Sequence, residues 1–272
     1  MDWVRTPDVA GLFYPAEESA LSHLLTSLLK EATAPRIVPL PPKALIVPHA
    51  GYVYSGPVAA SAYARLQSFR ERFRKVLLLG PAHRLPFRGL AASSASAFET
   101  PLGSVPVDEE MMVRALALPT VRVLDQAHEG EHSLEVHLPF LQIVLEEFRI
   151  LPLLVGEASH EDVAEVLREL WGGEETLVVI SSDLSHFLSY ERAARLDEST
   201  ARSIEGLRPE EIRHDQACGR IPMGGLLIRA REEGLEVERV DLRNSGDTAG
   251  PRDRVVGYGS FLFTPPAGTT AQ

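Results

Sequence analysis

Four short apolar runs, each ending in small or polar residues, constrain this chain more than any other feature: ALIVPHAGY (44–52), KVLLLGPAHR (75–84), RILPLLVGE (149–157) and TLVVISSDLSH (176–186). Leucine-rich and β-branched stretches of this length, closed by Gly, Pro or Ser, read as strands buried on both faces. Helical patterns separate them, over 57–66, 108–116, 138–148 and 160–170, the last preceded by Ser159 as an N-cap. An earlier helix over 17–30 carries Leu21, Leu24, Leu25 and Leu28 at helical spacing, and the proline-bearing stretch 35–42 breaks it into a rigid linker. Later segments continue the alternation: helix over 190–204, a glycine-containing helix over 223–231, and strands near 235–242 and 257–263. Strand and helix in alternation predict an α/β fold, a layered sheet with helices on both faces. There is no internal repeat, so one domain over 1–272 is expected, with 265–272 a disordered tail.

Composition narrows the function classes. A chain of 272 residues, 44% hydrophobic and 24% charged, can bury a core without disulfides or structural metal. The lone Cys218 excludes an internal disulfide, and the opening MDWVRTPDVAGLFYP lacks the apolar run of a signal peptide, so a cytoplasmic location is expected. Apolar stretches such as 76–79 and 176–180 fall far short of the roughly 20 residues that cross a bilayer, which argues against a membrane protein. A formal charge of −11 argues against nucleic acid as a partner. Arg70, Arg72, Arg74 and Lys75 form a local basic cluster, read as a solvated helix end before a strand. Lysine occurs only at 30, 43 and 75 and asparagine only at 244, which fits either a GC-rich genome or avoidance of thermolabile residues.

Open α/β sheets bind ligands beyond the carboxyl ends of their strands, so the residues that close the strand-like runs come first. Three runs end in histidine: His49, His83, and His186 with Asp183 before it. If those strands are parallel neighbours, the side chains converge. The segment EGEHSLEVHLPFLQ places His132, Glu135 and His137 at the start of an amphipathic helix whose apolar face is Leu134, Leu138 and Leu141. His132 and Glu135 share a face, as a helix-start cap or as a functional pair, and the spacing is not that of a HExxH zinc site. In HDQACGRIPMGG, Cys218 occupies a Gly- and Pro-flanked bend, either as a small buried hydrophobe or as a thiolate ligand, while His214 and Asp215 read as structural. Two histidines with a thiolate suit copper(I), zinc or iron(II), and two with a carboxylate suit iron(II) and oxygen chemistry. Asp183 can instead orient His186 through a hydrogen bond.

The motifs VPHAGYVYSG, LLLGPAHR, EHSLEVHLPF, SSDLSH and CGRIPMG, in this order, resemble the Memo family, whose Memo-like members are also called AmmeMemoRadiSam system protein B. AGLFYP near the start and GYGSFLF near the end extend the resemblance over about residues 5 to 264. It implies a fold similar to the catalytic subunits of class III extradiol dioxygenases, which use non-haem iron(II). Carried over motif by motif, His49, His83 and Cys218 fall on the metal-binding positions, and Asp183 and His186 on further residues of the same pocket. The catalytic candidates are His186 as acid or base with Asp183 orienting it, and His132 and His137, whose helix start offers positioning groups but no ligand spacing, are expected at the rim of the pocket rather than at its metal centre. Tyr52 and Tyr54 line the pocket or pack in the core. Arg84 after His83 and Ser185 before His186 depart from the family pattern without removing a ligand. A cysteine where the dioxygenases offer a carboxylate shifts preference toward softer metals, which sets the site apart from simple ring cleavage. The expected cofactor is therefore a transition metal, iron or copper, with zinc as the alternative. The expected activity is that of a non-haem metal-dependent redox enzyme acting on a small molecule. The alternatives are a non-catalytic protein that binds a ligand or peptide on the same scaffold, and an accessory protein to a radical SAM enzyme.

Overall fold

Side chains alternate across a strand, so a run that is apolar at every position must be covered on both faces. The computed structural model, which describes residues 3–32 and 40–266, shows how this chain does so. Its first half runs β1 (Val4–Arg5), α1 (Glu18–Glu31), β2 (Ala44–Val47), α2 (Tyr52–Tyr63), β3 (Lys75–Pro81), β4 (Leu90–Ala92), β5 (Ala97–Thr100), β6 (Gly103–Pro106), α3 (Glu109–Leu116) and β7 (Val121–Val123). The second half runs α4 (Leu138–Val144), β8 (Arg149–Val155), α5 (His160–Leu170), β9 (Thr176–Ser181), β10 (His186–Leu188), α6 (Tyr190–Glu205), α7 (Arg220–Glu233), β11 (Glu236–Asn244) and β12 (Val255–Thr264). Most of the proline-bearing stretch and the end of the expected tail lie outside the described residues.

Among the described residues, nine strands form one sheet in the order β10-β12-β2-β9-β3-β8-β4-β7, with β11 also paired to β12. The four apolar runs are its centre: β2, β9, β3 and β8 are parallel neighbours. A smaller sheet, β1-β5-β6, stands apart. On one face Leu45, Val47, Val76, Leu78, Leu177 and Val179 pack under α1, α2 and α4. On the other, Ala44, Ile46, Leu77, Leu79, Val178 and Ile180 pack under α3, α5, α6 and α7. The alternation thus sends adjacent residues of one strand into two separate cores, and the helices on both faces make the fold α/β.

Local signals set several boundaries. Asp108 caps α3 by accepting from the Met111 N–H, and Ser159 opens α5 in a reciprocal capping box with Asp162. The helix expected from Pro57 begins earlier, at Tyr52, because the first-turn N–H groups of Tyr54 and Ser55 already close on the Gly51 carbonyl. Pro57 then lies inside α2 and forgoes one backbone bond. The segment after His132 first forms a 3-10 turn, Glu135–His137, and becomes α-helical only at Leu138.

Candidate metal centre and its surroundings

Parallel strands end on one edge, and the residues that leave that edge meet there. His49 follows β2 directly beside the end of β9, where Val47 pairs with Ser181. It is buried, and its N–H donates to Asp183 Oδ1 at 2.8 Å. Its Nδ1 lies 2.6 Å from Ser181 Oγ, and that hydroxyl donates its own hydrogen to the Ser133 carbonyl at 2.6 Å. The hydroxyl therefore accepts from His49 Nδ1–H, which leaves the lone pair on Nε2.

A second anchor fixes the other two rings. Glu131 is buried and accepts from the backbone N–H groups of His83, His132 and Ser133 and from His83 Nδ1 at 2.9 Å. Burial works against its ionisation, but the hydrogen bonds from His83 and Ser133 hold its carboxyl down to about 2. An ionised carboxylate cannot donate, so His83 gives its Nδ1–H and keeps its lone pair on Nε2. His132 Nδ1 lies 3.3 Å from the same carboxylate yet makes no hydrogen bond, and the Phe13 ring covers the imidazole at 4.6 Å between centroids.

One potential ligand atom from each of His49, His83 and His132 lies within 4.8 Å of the others. Burial, and then the neighbouring imidazoles, hold His49 well below the usual histidine range, and burial takes His132 down to about 4. Both are neutral at pH 7 and offer lone pairs to an electrophile. The set differs from the sequence expectation. His132, placed at the rim, is grouped with the two strand-end histidines, while Cys218 Sγ stands 3.4 Å from His49 Nε2 and 3.6 Å from the Asp183 carbonyl. Burial, followed by the charge of Asp183, pushes the thiol up to about 12, so it carries its proton when nothing displaces it. Gly219 lets this turn approach β9: a Cβ there would stand 2.5 Å from the Ser181 carbonyl oxygen.

The remaining candidates divide. Burial pushes the Asp183 carboxyl up to about 7 against bonds from the His49 and Ala50 N–H groups. With His132, the exposed His186, Tyr54, Arg254 and Tyr258 it walls a cavity of about 370 Å³. His83 and Cys218 line a separate cavity of about 670 Å³ that shares no lining residue with the first, and His214 joins them there. His137 belongs to neither wall: it is buried, with Nδ1 at 3.0 Å from the Tyr63 hydroxyl, because the 3-10 turn directs it into the core under α2. Tyr52 is likewise a core residue, its hydroxyl donating to the Val136 carbonyl. Glu135 caps no helix among the described residues and lines neither of these two cavities. It accepts from Arg5 Nη1 at 2.8 Å, the Tyr14 hydroxyl at 2.7 Å and the Asp8 and Val9 N–H groups, tying the start of the chain to the loop that bears His132. Sequence reasoning missed Glu131. It orients His83, 48 residues earlier in the chain, and nothing local in EGEHS marks that pairing. A larger cleft of about 1010 Å³ at the opposite ends of β3 and β8 is lined by Arg74, Lys75 and Arg149 facing Glu109, Glu110 and Glu146, with no histidine.

Comparison with known proteins adds a family. The family model for Memo-like proteins matches residues 5–262. A MEMO1 family protein of Aquifex aeolicus is 38% identical over 273 residues, covering 96% of this chain and 99% of that protein. One from Pyrobaculum arsenaticum is 34% identical over 96% of this chain and 99% of its own length. Among solved structures, an uncharacterized protein from Escherichia coli K12 aligns with a TM-score of 0.54 at 13% identity, over 79% of this chain and 98% of that one, a likeness of fold alone.

Proposed function

Since this chain belongs to the Memo family, we propose that it is a transition-metal protein of the non-haem type, its ion held by His49, His83 and His132 with the Cys218 sulfur as a fourth donor. The observation that carries this reading is the trio itself: three imidazoles whose donor atoms lie within 4.8 Å of one another. The structure offers a test of fit. The lone pairs of His49 and His83 are fixed on Nε2 by Ser181 and Glu131, and His132 Nδ1 is a buried nitrogen with no hydrogen-bond partner. Neutral imidazoles with one thiolate suit iron, copper or zinc. A bound iron or copper ion would supply electron transfer and polarise an oxygen atom of a small-molecule substrate. The chain's own residues do the rest. Asp183 and His186 stand on the wall of the 370 Å³ cavity as groups able to hold or move a proton, while Phe13 covers His132 and limits water there.

A second reading, a non-catalytic site for a ligand or peptide, is favoured by exposed aromatic side chains: Tyr54, on the wall of the 370 Å³ cavity, is 40% exposed, and Phe187, whose ring lies against His186 of that wall, is 60% exposed. Elemental analysis of protein purified without a metal-affinity step separates the two. The proposal expects about one equivalent of iron, copper or zinc in the wild type, and its loss in His49→Ala, His83→Ala and His132→Ala proteins that retain wild-type circular dichroism. A wild-type protein that takes up no transition metal even on anaerobic loading overturns it and leaves the binding reading.

A further inference from the structure

The 670 Å³ cavity has a character of its own. It opens between the loops that follow β3 and β8 and the start of α7, with Leu85, Phe87, Ile221 and Pro222 as apolar wall and His83 and Cys218 on the side of the histidine cluster. Two arginines line it, and they are not equivalent. Arg88 lies 3.4 Å from Glu157, which lines the same cavity, so its charge is already countered. Arg220 is half-buried, and no hydrogen bond, ion pair or ring contact reaches its guanidinium among the described residues. It is also the first residue of the 14-residue α7, whose amino-terminal dipole adds to the same positive field. A guanidinium without an anion, set in an apolar cavity of ordinary ligand size, is complementary to a planar anion on an apolar body.

We propose that this cavity binds an organic carboxylate: the carboxylate on Arg220 and the apolar body along Leu85, Phe87 and Ile221, beside the histidine cluster. Binding needs only the cavity and Arg220, whereas a part for this ligand in metal chemistry rests on the function proposed above. The cavity with Asp183 and His186 then serves a different molecule, since the two linings share no residue.

Octanoate is a suitable probe, titrated calorimetrically into the wild type and into Arg220→Gln and Arg254→Gln proteins, Arg254 being the arginine of the other cavity. The expected result is saturable binding to wild type and Arg254→Gln, weakened about tenfold or more in Arg220→Gln, as loss of a charge-assisted contact implies. Methyl NMR should show octanoate-dependent shifts at Leu85 and Ile221 and none at Val256. Circular dichroism and metal content of Arg220→Gln should match the wild type. Absence of binding to the wild type, equal affinity in Arg220→Gln, or shifts confined to Val256 would each overturn the assignment. Repeating the titration on chelator-treated protein keeps the two ideas apart. Failure of metal uptake with octanoate still bound strikes the metal reading alone, and normal metal uptake without octanoate binding strikes this one alone.

Discussion

Glu131 orients His83 through Nδ1 and holds the backbone of His132 with the same carboxylate, so a single side chain sets the relation between two of the three proposed ligands. Glu131→Gln keeps the shape but puts an amide N–H2 against N–H donors. Metal affinity, read by chelator competition, should fall on the order of 10- to 100-fold with the fold retained, as for other carboxylates that hold ligating histidines. Unchanged affinity would mean that Glu131 is only a structural tether. Cys218 makes a sharper claim about protons. His49 and His132 are held neutral and give up no proton when they bind an ion, whereas a thiol pushed up to about 12 must release one. If the sulfur is a ligand, affinity should rise about tenfold per pH unit between pH 7 and 9, and Cys218→Ser should flatten that slope. A flat wild-type profile would leave the histidines as the only donors.

Elements meet closely where glycine allows it, and α5 against α7 is the clearest case. A Cβ on Gly225 would stand 2.4 Å from Val163 Cγ1 and 3.1 Å from the Ala164 nitrogen, and one on Gly224 would strike the His160 ring at 2.5 Å. Alanine ordinarily favours a helix over glycine by about 1 kcal/mol. Val163 is β-branched and fully buried, so it cannot turn aside, and Gly225→Ala should lose about 2 kcal/mol net in urea unfolding. A more stable variant would show that the helices can part without loss. The four buried strands were legible because each is built on a continuous apolar run, and α5 because Ser159 marks its start. The strands β4 to β7 were not. They span three or four residues, and β5 alternates half-buried with buried positions, so neighbouring chain rather than local pattern makes them strands. The start of α7 was read at Met223 and lies at Arg220, because Pro222 falls in the first turn, where a missing N–H costs nothing.

At the scale of the whole molecule, the meeting of His49 and His83 could be read in advance, since parallel strands deliver whatever follows them to one edge. The places of His132 and Glu131 could not. They arrive on a loop that follows no central strand and is held, through Glu135, by Arg5 and Tyr14 from the start of the sequence. That the site gathers segments distant along the chain has a thermodynamic consequence. An ion bound at His49, His83 and His132 joins the ends of β2 and β3 to this loop, and unfolding must release it. By mass action, free metal at about a thousand times its dissociation constant should add about 4 kcal/mol of stability, which for a chain of this length raises the unfolding temperature by roughly 10 °C. Chelator-treated protein should show the lower transition and regain the higher one on adding iron(II) anaerobically, copper or zinc. His49→Ala should unfold at one temperature with or without metal, its circular dichroism unchanged below the transition. An unfolding temperature in the wild type that no added metal moves would mean that the three imidazoles converge without holding an ion.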